Sequence, residues 1–187
     1  MNEVQPIRDR KKINAIKKIL LADNPRDHLL FVMGINTGLR VSDLLSLKVK
    51  DVMVDGKVVS AITIREKKTG KQKRFGVNKV VADAIKDYVG SKELDDGDYL
   101  FRSRKGAGPI SRQQAYRIIN EACKTVGVEG EVGTHTLRKT FGYHARLNGT
   151  PIEVLQKIFN HSAPSVTMRY LGITQDELED VYSNLNL

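Results

Sequence analysis

Along most of this chain a capping residue stands just ahead of an apolar stripe at helical spacing, and only between residues 52 and 77 does that pattern give way to short runs split by glycine turns. A chain so patterned must bury helix faces against one another and has room for one small sheet. Asp9 precedes Ile13, Ile16, Ile19 and Leu20, which predicts a helix to about Leu21. A second helix follows Pro25 and stops before Gly38, and Ser42 is expected to cap a short helix from Asp43 to Leu47, leaving Arg40 in the tight connection between the two. Asn78, Ser111 and Thr134 each head a further helix, to Val89, Val126 and about Asn148. Thr150, Pro151 and Glu153 have the spacing of a capping box with proline at the first helical position, and a short helical turn follows Pro164. Thr174 and Glu177 form the same signal for a last helix, striped by Leu178, Val181, Tyr182 and Leu185. The exception, Val52 to Val54, Val58 to Ile64 and Lys73 to Val77, joined at Asp55-Gly56 and Thr69-Gly70, predicts a small antiparallel sheet of three strands. The fold class is therefore α+β and mainly helical, a single domain over residues 1–187.

Charge is unevenly spread over that frame. The formal net charge is +9, and the stretch from Lys57 to Lys79 holds eight basic residues against the single acid Glu66. The sheet thus carries most of the positive excess, which favours a polyanionic partner. Thr174 to Leu187 is opposite in sign, with four acids and no base. One cysteine cannot make an internal disulfide, and Cys123 beside the stripe Ala115, Ile118, Ile119 and Ala122 reads as a small core residue. The longest apolar runs, such as Leu29 to Met33, are far below the roughly 20 residues a bilayer span needs. A cytoplasmic protein with no membrane contact is expected.

The residues able to do chemistry fall into ordered motifs. Thr37-Gly38-Leu39-Arg40 places an arginine after the second helix; Lys67-Lys68-Thr69-Gly70 places lysines at a hairpin turn. Thr134-His135-Thr136-Leu137-Arg138 sets an imidazole and a guanidinium three residues apart at a helix start, where two donor types converge on the positive end of the macrodipole. Phe159-Asn160-His161-Ser162 follows, and Tyr170 comes nine residues after His161. In this order the motifs resemble the catalytic domain of the tyrosine recombinases, the phage integrase family, and the resemblance runs from about Asp9 to Tyr182.

That resemblance implies the tyrosine-recombinase catalytic-domain fold and a site-specific recombinase that cuts and rejoins double-stranded DNA through a 3′-phosphotyrosyl intermediate. Tyr170 matches the nucleophile, Arg40 and Arg138 the arginine pair on the non-bridging phosphate oxygens, and Lys68 the lysine that protonates the departing 5′-oxygen. Lys67 is its rival, since one step of strand register reverses the face. His135 matches an acid/base or phosphate donor and His161 a further donor. The family needs no metal or cofactor for this chemistry. His28 and His144 match no family position and read as structural, and Tyr182 reads as a packing residue.

Three departures stand out. The family usually has Leu-Gly-His where this chain has Phe159, Asn160 and His161, and Lys139 stands where histidine is frequent. Only 39 residues precede Arg40, fewer than the helical core-binding domain usual in the family would take. The resemblance thus implies half of a DNA clamp, with a separate DNA-binding partner as one way to complete it. It also implies a tetramer on DNA held by exchange of the C-terminal tail. The alternatives are a catalytically silent DNA-binding regulator of the same fold and a type IB topoisomerase.

Overall fold

The structure, a computed structural model, describes residues 4–66, 68, 70–133 and 135–172. The expected cap at Thr134, the rival Lys67 and the last helix from Thr174 with Tyr182 lie outside the described residues. Helix α1 (Arg10–Asp23) starts at Asp9, whose carboxylate accepts a hydrogen bond from the Lys11 N–H, and it buries Ile13, Ile16 and Leu20. Ile19, expected in that stripe, faces outward. Helix α2 (Pro25–Thr37), capped by Asn24, is buried on nearly all sides over Leu29–Met33 because α1 and the later helices Lys79–Gly90 and Thr136–Leu147 all pack on it. It ends at Gly38, whose left-handed φ of 62° turns the chain sharply into the Arg40 segment.

The short helix α3 (Val41–Leu44) begins earlier than expected. Arg40 occupies its N-cap and Ser42 lies inside it, because the αL turn at Gly38 brings the chain back into helical geometry within three residues. A single turn, α4 (Val49–Val52), then takes Val52 out of the sheet. The expected three strands resolve into two separate hairpins: β1 (Met53–Val54) pairs with β2 (Lys57–Val58), and β3 (Ala61–Arg65) pairs with β4 (Gln72–Gly76). The chain bends at Ser60, which divides the long middle strand. Asp55 and Gly56 make the first turn with positive φ at both positions, as a tight hairpin requires.

Helices α5 (Lys79–Gly90) and α6 (Arg112–Thr125) are capped by the Asn78 and Ser111 side chains. Helix α7 (Thr136–Leu147) has His135 at its N-cap and lies against α2, and α8 (Ile152–Phe159) and α9 (Pro164–Leu171) form a hairpin beside it. Pro151 caps α8 from outside rather than at its first helical position, and no side-chain cap bond forms there. Three apolar clusters result. The largest joins α2, α3, α5 and the β3–β4 hairpin; the second joins α1, α2, α6 and Leu137 of α7. The smallest, Leu155, Phe159 and Leu171, has Phe141 and Tyr170 packed on it. Gly142 lets α7 approach this cluster: a Cβ there would fall 2.4 Å from Leu171 Cδ2 and 2.6 Å from Phe159 Cζ. Among the described residues no helix is long and apolar enough to cross a membrane.

Candidate active site

Arg40, His135, Arg138, His161 and Tyr170 come together where α3, α7, α8 and α9 meet the β3–β4 hairpin. Arg138 is the anchor. It projects from the first turn of α7, is buried, and donates from one terminal nitrogen to the Gly38 carbonyl and from the other to the Phe159 carbonyl at 2.8 Å. Its guanidinium also lies 4.5 Å over the Phe159 ring. One side chain thus ties the Arg40 turn to the end of α8. Arg40 is held in turn by carboxylates, 3.0 Å from Glu66 and 3.9 Å from Asp43, both nearly fully buried. Buried acids of this kind fix the orientation of a cation that would otherwise be drawn out to water.

The α8–α9 connection places the remaining two groups. Asn160 ends α8 with φ 54° and ψ 47°, so the left-handed exit expected of asparagine is present. The turn aims His161 back at Thr167, whose hydroxyl oxygen lies 3.0 Å from His161 Nδ1. Helix α9 then presents Tyr170, half-buried, with its hydroxyl 3.3 Å from His135 Nδ1 and within the field of the Arg138 guanidinium. The Tyr170 ring meets His161 and Phe159 edge-on at 5.1 and 5.4 Å, and Lys139 Nζ stands 5.0 Å from its centroid. Lys139, which the sequence marks only as an extra charge, is therefore a buried neighbour of the phenol.

Electrostatics follow from this crowding. Burial pushes the Tyr170 phenol up to about 12, against a downward pull from Arg138 and Arg40. Burial of part of the ring, then Arg138, Arg40, Lys139 and Arg112, lower His135 below its ordinary value even though the residue as a whole is exposed. His161 is lowered by burial and the same two arginines. At neutral pH both imidazoles are uncharged, and a neutral His135 can accept a proton from the phenol beside it.

Lys68 is the exception. It stands exposed at the turn of the β3–β4 hairpin rather than inside the cluster. The lysine that enters is Lys73 of β4, whose Nζ donates to the Ile158 carbonyl at 2.9 Å and whose pKa is lowered to about 8, by burial first and Arg138 second. Composition does not single it out among Lys71, Lys73 and Arg74; only strand register does, by pairing Lys73 with buried Ile64. Glu66, the lone acid in a basic run, carries no motif that would mark it as part of the site. Elsewhere, His144 Nε2 meets the Ile7 carbonyl at 2.9 Å and Cys123 is buried with its thiol pushed up to about 11, as structural roles require. Among the described residues no group of three or more His, Cys, Asp or Glu is placed to hold a metal ion.

Comparison with known proteins bears on the family and the fold. Residues 9–177 match the model of the phage integrase family. The chain is 46% identical to the probable integrase/recombinase YoeC of Bacillus subtilis, covering 97% of both chains. It is 28% identical to tyrosine recombinase XerA of Pyrococcus furiosus over 95% of its own length and 60% of that protein's. Among solved structures, a XerA recombinase superposes with a TM-score of 0.78 at 22% identity, over 98% of this chain and 65% of that one. The catalytic domain of bacteriophage HP1 integrase superposes at 0.66 with 24% identity, over 96% and 95%. The folds are alike, the family match spans residues 9–177, and the chain belongs to the phage integrase family, that of the tyrosine recombinases.

Proposed function

We propose that Tyr170 is the nucleophile of this site-specific DNA recombinase and that Arg40, His135, Arg138 and His161 activate one scissile phosphodiester for it. The observation that carries the reading is the Tyr170 hydroxyl, 3.3 Å from the His135 imidazole, with the buried Arg138 charge acting on it. The phenol oxygen attacks phosphorus while His135 takes its proton. The P–O5′ bond breaks, the 5′-oxygen leaves with a proton from Lys68, and a 3′-phosphotyrosyl enzyme remains. Attack by another strand's 5′-hydroxyl reverses each step and rejoins DNA with no external energy source. Arg40 and Arg138 face the non-bridging oxygens, whose charge grows in the pentacoordinate transition state, and His161 donates to one of them. The exposed hairpin lysine Lys68 reaches the leaving group once DNA lies across the site. In this reading the chain acts in the cytoplasm on double-stranded DNA and assembles into a tetramer through the acidic segment from Thr174.

The test starts from double-stranded DNA that the protein itself selects out of a random duplex pool. A nick close to the cleavage position traps the covalent product. Wild-type protein is expected to give an adduct that survives denaturation, and Tyr170→Phe to give none while binding the same duplex. An adduct persisting in Tyr170→Phe overturns the nucleophile; DNA binding with no adduct from wild type favours the silent regulator.

A further inference from the structure

The β3–β4 hairpin has two chemically different faces. Register pairs Ile62 with Phe75, Ile64 with Lys73 and Arg65 with Gln72. Ile62, Ile64 and Glu66 are buried and alternate with exposed Thr63 and Arg65; on β4, half-buried Lys73 and Phe75 alternate with exposed Gln72 and Arg74. The inner face is thus apolar at its base and charged toward its tip. Both inner charges reach across to the rest of the site: Glu66 to Arg40 at 3.0 Å, and Lys73 to the Ile158 carbonyl at 2.9 Å.

Ile158 and Phe159 are the last two residues of α8, and Phe159 is the one whose carbonyl holds Arg138. The final carbonyls of a helix lack intrahelical partners and carry its negative end, so they seat cations well. Here adjacent carbonyls seat two, one from α7 and one from the hairpin. An ammonium placed beside a buried guanidinium is costly, and an apolar residue would fill this position more cheaply. A fold needing only to cover α8 has no use for a lysine there.

We infer that Lys73 is a positioning residue for strand cleavage: its bond to the Ile158 carbonyl, with the Glu66–Arg40 pair, clamps the β3–β4 hairpin to the end of α8 so that Lys68 at the turn is presented to the leaving 5′-oxygen. The inference rests on the nucleophile and general-acid roles proposed above. Lys73 itself does not touch DNA in this scheme. It acts through the hairpin.

The test uses the full chain and the nicked duplex described above in two forms, one with oxygen and one with sulfur at the bridging 5′ position of the scissile phosphate. A thiolate leaves without a proton, so the sulfur form removes the need for Lys68. Lys73→Met is expected to slow adduct formation on the oxygen duplex about a hundredfold, to cleave the sulfur duplex within about threefold of wild type, and to speed amide exchange over residues 61–76. Lys73→Arg, which can still donate to the carbonyl but holds its proton too tightly to act as an acid, is expected to restore both rate and protection. Equal slowing on both duplexes overturns the inference, as does an unaffected oxygen rate, unchanged exchange, or failure of arginine to rescue. Absence of a Tyr170 adduct from wild type sinks the nucleophile instead, and the exchange comparison still decides whether Lys73 clamps the hairpin.

Discussion

At the scale of single residues, burial comes first among the causes that shift the titration of Lys73, His135, His161 and Tyr170. His28, His135 and His161 all titrate below the ordinary imidazole value in the folded chain, in each case with burial as the first cause. The unfolded chain takes up these protons near 6.5, so below that pH it binds more protons than the folded one. The stability they contribute is fully present above about 6.5 and is lost as pH falls through the lower folded values. Thermal melts are therefore expected to drop between pH 6.5 and 5, with a shallower drop in His135→Asn. The same variant is expected to slow cleavage by about a hundredfold or more, the usual worth of a positioned proton acceptor, measured as single-turnover adduct formation. Most of these residues were legible in the sequence because Arg40, His135, Arg138, His161 and Tyr170 each sit in a motif tied to a local turn or cap. Lys73, Glu66 and Lys139 were not, because nothing in a basic run distinguishes the inward residue until partner and register are known.

Elements turn that chemistry into geometry, and two backbone positions matter most. Gly38 ends α2 and Asn160 ends α8, both left-handed, and the residues beside these turns include two of the acceptor and donor groups that define the site. Asn160→Ala keeps a Cβ in a conformation that costs ordinary residues roughly 1–2 kcal/mol and removes the short polar side chain that offsets that cost, whereas Asn160→Gly removes the Cβ altogether. Chemical denaturation should show the alanine variant less stable by about 1 kcal/mol and the glycine variant near wild type; equal loss in both would show that the asparagine side chain, and not the backbone, matters. Helix positions read well from the sequence for a related reason: Asp9, Asn24, Asn78 and Ser111 bond to backbone N–H groups within three residues, so each signal is local. Strands read less well. The difference between one three-stranded sheet and two hairpins is decided at Ser60, where a bend depends on what the strands pack against rather than on the alternation itself.

For the whole molecule, the +9 charge divides into two populations. Exposed bases such as Arg65 and Arg74 on the outer hairpin face are open to phosphates along a duplex. Removing one such base should lower the slope of log affinity against log salt by about one; titrating Arg74→Ala with the selected duplex at several salt concentrations is expected to show that change. The sequence reveals how many bases there are, but not which are spent internally. Four of them are. Arg40, Lys73, Arg138 and Lys139 lie around Tyr170 or its anchoring carbonyls, and the buried carboxylates of Asp43 and Glu66 sit among them. With both imidazoles neutral, the surplus amounts to two positive charges. The non-bridging oxygens of a phosphodiester carry one negative charge at rest and approach two when phosphorus is five-coordinate. On the proposed mechanism, Glu66 and Asp43 thus trim this preformed pocket, before Lys68 arrives, to the charge of the passing state rather than of intact DNA.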